Sequence, residues 1–346
     1  MMRLPDFRFE APRTVAEAAD LLAAAQPGEA MLVAGGTDLL PNMKRRQQTP
    51  RTLVGLRRIE ELRRISNGDG LRIGAGVTLS ALVRDLRSRG AADPYGALGQ
   101  AAAYVATPQL RNMGTLGGNV CLDTRCNYYD QNYEWRKAID FCMKKDGAVC
   151  WVATSSPRCL AVSSTDTAPA LIALDAEVTL ASAAGERRIA AADLFRNDGI
   201  HYLTRRHDEI LTSVRLPRLD GWRSVYWKLR RRGAFDFPVL SVAAAMKITA
   251  DGTVEGARIV LGAVASRPVE AADAAAALIG GRLSDEAIAN ASERAAQPAR
   301  PMDNTDFTLL WRKRATRHFV SCALRELRGD DMREVKLSIG AARAGN

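Results

Sequence analysis

The chain has 346 residues, a length that suits two or three domains and can bury a large core. Charged residues make up 25% and apolar ones 47%, close to the globular average, which excludes a disordered chain; no apolar run approaches about 18 residues, which excludes a membrane-spanning helix. The formal net charge is +10, but the arginines are spread along the whole chain without an RNP, zinc-finger or helix-turn-helix pattern, so it reads as a solvated basic surface offset by anionic cofactors or an acidic partner, not as a nucleic-acid footprint.

Pro5 and Asp6 stand where a signal peptide needs an apolar core, and the expected location is cytoplasmic. Residues 16–25 predict a short amphipathic helix after Thr14, and 30–33 a buried strand that includes Leu32 and Val33. Then comes Ala34-Gly35-Gly36-Thr37-Asp38, where two glycines free the backbone to turn sharply and bring N–H groups toward an anion. Alone it could be an ordinary tight turn, for neither a G-x-G-x-x-G pattern nor a P-loop lysine is present.

Residues 52–54 and 71–75 predict strands, the second after a hairpin-like 66–70. Thr78 is set to cap a helix through about 87, and 92–105 predicts another, leading to the turn Thr115-Leu116-Gly117-Gly118-Asn119. Residues 169–174 predict a helical turn, 177–180 and 209–217 strands, so helices and strands intermix as in an α/β or α+β protein. From about 220, three strand candidates follow at 224–230, 239–248 and 257–264, with Asp251-Gly252 as a turn. They predict a three-stranded antiparallel sheet, carrying helices at 270–279, 284–296 and 305–326. The tail from Gly329 is polar and is expected to be partly disordered.

Five of the six cysteines, Cys121, Cys126, Cys142, Cys150 and Cys159, lie in one stretch together with Tyr128, Tyr129, Tyr133, Trp135, Phe141 and Trp151. Such clustering in a cytosolic chain favours a metal or an iron–sulfur cluster over disulfides. Zinc pairs usually stand two to four residues apart, and no such pair occurs here, although four thiols would suit zinc in number. Cys322 reads as a core residue, and His201 and His207 as solvated loop residues. No hydrolytic constellation is present, so the chemistry should belong to cofactors.

The two glycine turns, joined to Asp166-Thr167-Ala168-Pro169-Ala170-Leu171 and followed by Val214-Arg215-Leu216-Pro217, Lys228 and Asp236-Phe237, resemble the FAD-binding subunit of the xanthine dehydrogenase family. The resemblance covers nearly the whole chain. It implies an α+β fold: a two-part FAD-binding domain of the vanillyl-alcohol oxidase type over 1–218, and a CO-dehydrogenase-flavoprotein-like domain over 219–330 with a polar tail over 331–346. It also implies that Leu32 to Asp38 and Thr115, Gly117, Gly118 and Asn119 grip the FAD pyrophosphate, that Asp166 holds the ribose, and that Leu216 and Lys228 lie at the flavin. Between Asn119 and Asp166, where most relatives have a short run, this chain carries an insertion over 120–162. That loop is similar to the one in the β subunit of 4-hydroxybenzoyl-CoA reductase, which implies a four-iron four-sulfur cluster on Cys126, Cys142, Cys150 and Cys159.

The expectation is therefore an electron-transfer subunit of a molybdenum complex that dehydroxylates an aromatic thioester, in which a ferredoxin-like donor feeds the cluster, then FAD. Its partners would be a large molybdopterin subunit and a small two-iron two-sulfur subunit, as a heterotrimer that could dimerise, with no nucleic acid and no membrane. The alternative within the family is a hydroxylase or dehydrogenase that oxidises an aromatic or heterocyclic substrate. Outside it stand a basic zinc-binding adaptor and a free-standing flavin oxidase.

Overall fold

The structure, a computed structural model, describes residues 3–341. The chain opens with β1 (Arg8–Glu10), α1 (Val15–Ala23), β2 (Ala30–Val33), α2 (Leu39–Lys44) and β3 (Thr52–Gly55), and the strands form a parallel sheet in the order β1-β3-β2. Helix α1 starts where expected because the Thr14 hydroxyl accepts the Glu17 N–H at 3.1 Å. Its Ala18, Ala19 and Leu22 are buried with Val54, Ile59 and Leu62 in a small core of their own. Strand β2 is an edge strand, half-exposed at every position, which leaves its free side open to a ligand.

The middle of the chain runs through β4 (Ile65–Gly68), β5 (Gly70–Gly74), α3 (Leu79–Ser88), α4 (Gly96–Tyr104), α5 (Pro108–Arg111), α6 (Leu116–Val120), α7 (Tyr133–Ala138), α8 (Thr167–Ala173), β6 (Glu177–Ser182), β7 (Gly185–Ala190) and β8 (Ile210–Leu216). The strands pair antiparallel in the order β4-β5-β8-β6-β7. Helix α3 buries Leu79, Leu82, Val83 and Leu86, a 3.6-residue stripe, and begins at the Thr78 cap. With α4, α8 and the sheet it builds the largest core.

The last part comprises β9 (Trp222–Leu229), β10 (Leu240–Ile248), β11 (Val254–Gly262), β12 (Val269–Glu270), α9 (Ala272–Ala276), α10 (Asp285–Ala296), α11 (Leu309–Arg328) and α12 (Arg333–Ala341). Its antiparallel sheet has four strands, in the order β12-β11-β10-β9, and not the three expected. The added β12 is two residues long, too short for an alternation of side chains to show. Within the tail, residues 333–341 form a helix whose Val335 and Ile339 pack on the second core. Residues 342–346 of the expected disordered tail lie outside the described residues.

Strand β9 is buried on both faces, with a period of two. Val225, Trp227 and Leu229 enter the core shared with α10 and α11, while Tyr226 enters the core of α4 and α8. Lys228 has the same parity as Tyr226 and therefore points the same way. Among the described residues, no helix is long and apolar enough to cross a membrane.

Candidate flavin site and cysteine cavity

The two glycine turns meet in space. A Cβ built on Gly35 would lie 2.0 Å from the Met113 carbonyl oxygen, so the first turn presses against the backbone entering the second. Gly36 has φ +71°, a left-handed conformation that glycine adopts without the strain other residues meet. In the second turn the Thr115 hydroxyl accepts the Gly118 N–H at 3.1 Å, and the Gly117 N–H donates to the Ala75 carbonyl at 2.8 Å. Among the described residues, no acceptor meets the N–H groups of Gly35, Gly36 and Thr37. Residues 31–40 are half-exposed and Gly118 is exposed. Free donors on a half-open turn, pressed close because no Cβ intervenes, fit a diphosphate such as that of FAD.

The asparagine of the second turn does a further job. Asn119 Oδ1 accepts from Thr167 N at 3.0 Å, from Thr167 Oγ1 at 2.7 Å and from Thr165 Oγ1 at 3.0 Å, so it caps α8 from another part of the chain. Asp166 stands at the N-cap position of α8 but makes no side-chain cap bond. Its carboxylate accepts from Tyr226 Oη at 2.7 Å and from Lys228 Nζ at 3.0 Å, and Lys228 also donates to the Tyr104 carbonyl at 3.0 Å.

Both partners of this ion pair are buried, with side chains 3% and 1% exposed for Asp166 and Lys228. Burial pushes the Asp166 carboxyl above its ordinary range while Lys228 pulls it down; the same burial holds the Lys228 ammonium below the lysine range. The structure thus turns these two residues toward each other. Leu216 is fully buried in the largest core. Replacing Asp166 by alanine would leave the ammonium buried alone, with an expected cost of about 3–5 kcal/mol. Urea unfolding measures it, and an unchanged midpoint would refute a charged pair.

Cys126, Cys142, Cys150 and Cys159 are all buried and line one small cavity, together with Tyr128, Tyr129, Lys144 and Trp151. The loop that carries them leaves and returns at one neck, where Arg125 and Val162 exchange two backbone hydrogen bonds of 2.8 and 2.7 Å. Burial pushes the Cys126 thiol up to about 12 and the Cys159 thiol to about 11, so a bound cation is what would ionise them at neutral pH. Cys121 is apart from this group: it ends α6 and packs against the largest core. Cys322 lies in the second core, 3.6 Å from His318 Nε2, and His201 and His207 are exposed.

Sequence reasoning missed the polar frame around the loop. Lys144, its side chain 6% exposed, donates to Asp123 Oδ1 and Thr124 Oγ1 at 2.8 Å each and to the Gly199 carbonyl at 2.6 Å. Arg136, fully buried, donates to the carbonyls of Arg45 and Arg46. These contacts join segments far apart in the chain, and the only local signal was the run Asp123-Thr124-Arg125-Cys126.

Two glycine turns pressed together beside a parallel sheet, followed by a four-stranded sheet with helices, are the arrangement expected of an FAD-binding subunit. The chain belongs to the FAD-binding subunits of the molybdopterin dehydrogenases: residues 5–219 match the model described as the FAD binding domain in molybdopterin dehydrogenase, and 224–342 that of the CO dehydrogenase flavoprotein C-terminal domain. Among its relatives, the aldehyde oxidoreductase FAD-binding subunit of Escherichia coli is 37% identical, over 78% of this chain and 85% of the relative. The nicotine 6-hydroxylase medium subunit of Paenarthrobacter nicotinovorans is 30% identical over 86% of this chain and 88% of its own. The structure of a carbon monoxide dehydrogenase from Hydrogenophaga pseudoflava superposes with a TM-score of 0.76 at 28% identity, covering 94% of this chain and 98% of that one. The chain is thus an FAD-binding oxidoreductase subunit of the molybdenum hydroxylase family.

Proposed function

We propose that this chain holds FAD together with a four-iron four-sulfur cluster, within a molybdenum enzyme that oxidises an aldehyde or an aromatic heterocycle. The observation that carries the cluster is the convergence of Cys126, Cys142, Cys150 and Cys159 on one cavity while Cys121 stays outside it. Four thiolates would suit a single zinc in number as well. A cubane cluster spreads its four thiolates over the corners of a larger cage, which suits a ring of cysteines around a cavity.

The oxidative direction rests on the relatives, whose names describe an aldehyde oxidoreductase, a nicotine 6-hydroxylase and a nicotinate dehydrogenase. It takes the place of the thioester reductase expected from the cysteine loop. Bound FAD supplies both one- and two-electron exchange, and a bound cluster one-electron exchange. This chain's own residues do the rest: the N–H groups of Gly35, Gly36 and Thr37, backed by the turn from Thr115 to Asn119, would hold the diphosphate, and Tyr128, Tyr129 and Trp151 line the cavity of the thiols. A cleft of about 340 Å³ lined by Arg3, Lys44, Arg45 and Arg46 lies beside Tyr133. Trp135, exposed on the same helix, has its ring 6.5 Å from that of Tyr128 in the cavity wall. This cleft, basic apart from Glu134, and the exposed Trp135 beside it suit an acidic, ferredoxin-like electron carrier.

Purified under anaerobic conditions, the chain is expected to carry one FAD and about four iron and four sulfide, and to co-purify with the large molybdopterin and small two-iron two-sulfur subunits. Flavin alone, with no iron beyond that of the small subunit, would sink the cluster. Isolation as a fully active single chain would sink the complex.

A further inference from the structure

We propose that Arg125 links the two cofactor sites, so that cluster assembly in the cysteine loop and FAD binding at the first glycine turn strengthen each other. This rests on the reading of the four cysteines as cluster ligands. Arg125 immediately precedes Cys126, and its backbone closes the neck of the loop against Val162. Its side chain, 5% exposed, reaches across to the flavin turn, where it pairs with Asp38 and donates to Asn42 Oδ1 at 3.1 Å. On the loop side it pairs with Asp130 at 3.4 Å, and the Phe237 ring covers its guanidinium at 4.7 Å. One planar cation therefore serves two carboxylates, one from each site.

Asp38 ends the turn whose free N–H groups face the diphosphate, and its carboxylate would repel that anion if left uncompensated. Arg125 cancels this charge. It can do so only while the loop holds it in place, and a metal-built loop draws much of its folding energy from the metal. Loss of the cluster then frees Arg125, uncovers the Asp38 charge and weakens FAD binding. Because coupling between two binding sites is reciprocal, loss of FAD weakens retention of the cluster as well.

The test is a fluorescence titration of flavin-free chain with FAD, before and after the iron is stripped with a chelator. Stripping is expected to weaken FAD binding about 10-fold in the wild type. Arg125→Gln should bind FAD weakly in both states, with the difference between them abolished. The double variant Asp38→Asn, Arg125→Gln should regain most of the affinity, since the repelling charge is gone, and still show no difference. Equal FAD affinity in loaded and stripped wild type would overturn the link, and this comparison needs no variant to fold. An Arg125→Gln protein that keeps the difference would overturn the role of Arg125. Wild type without iron and sulfide would instead overturn the cluster reading, and the link with it.

Discussion

Replacing Cys126 by serine is expected to remove most of the iron bound by this chain, and replacing Cys121 by serine to leave it in place. The two thiols are five positions apart, yet they belong to different structures. Cys121 ends α6, its N–H donating to the Gly117 carbonyl at 2.9 Å, so its backbone is committed to the glycine turn. Cys126 lies past the neck at Arg125 and opens into the cavity with Cys142, Cys150 and Cys159. Each iron corner needs a thiolate, so loss of one ligand destabilises the cluster as a whole, and the loop then loses the metal that orders it. Iron and acid-labile sulfide, measured on both variants, check the assignment. Full iron in Cys126→Ser beside depleted iron in Cys121→Ser would reverse it.

What could be read in advance was local. Thr14, Thr78 and Ser284 each precede an apolar stripe and each accepts a backbone N–H three residues on, so the starts of α1, α3 and α10 were legible from a few neighbours. Both glycine turns could be read because each has a composition of its own. The contacts that make a site of them could not. Asn119 caps α8 across the whole insertion, and Arg125 reaches back to Asp38 at the first turn. No spacing rule covers partners so far apart in the chain; they meet only because both ends of the loop are fastened at one neck. The same holds for Asp166, whose position before a helix suggests a cap. Its carboxylate makes no cap bond and meets Lys228, because β9 alternates and places every second side chain toward α8.

Replacing Gly35 by alanine is expected to abolish FAD retention while the fold and the iron survive. The added Cβ would fall 2.0 Å from the Met113 carbonyl oxygen and 2.5 Å from its carbon, both backbone atoms at the approach to the second turn. Backbone cannot swing aside as a side chain can, so the first turn must move away, at a cost of about 1–3 kcal/mol for an overpacked contact. That movement separates the two turns and displaces the free N–H groups of Gly35, Gly36 and Thr37 from the place where they would hold the diphosphate. The clash is confined to this contact, because β2 is an edge strand bound only to β3 and can shift without tearing the larger sheets. Gly68→Ala serves as the control: nothing lies within 4 Å of a Cβ there and its φ is ordinary, so flavin content should not change. Bound flavin per chain after gel filtration, with iron content beside it, reads the outcome. A Gly35→Ala chain that keeps one FAD would show that the close approach of the two turns is not what holds the cofactor.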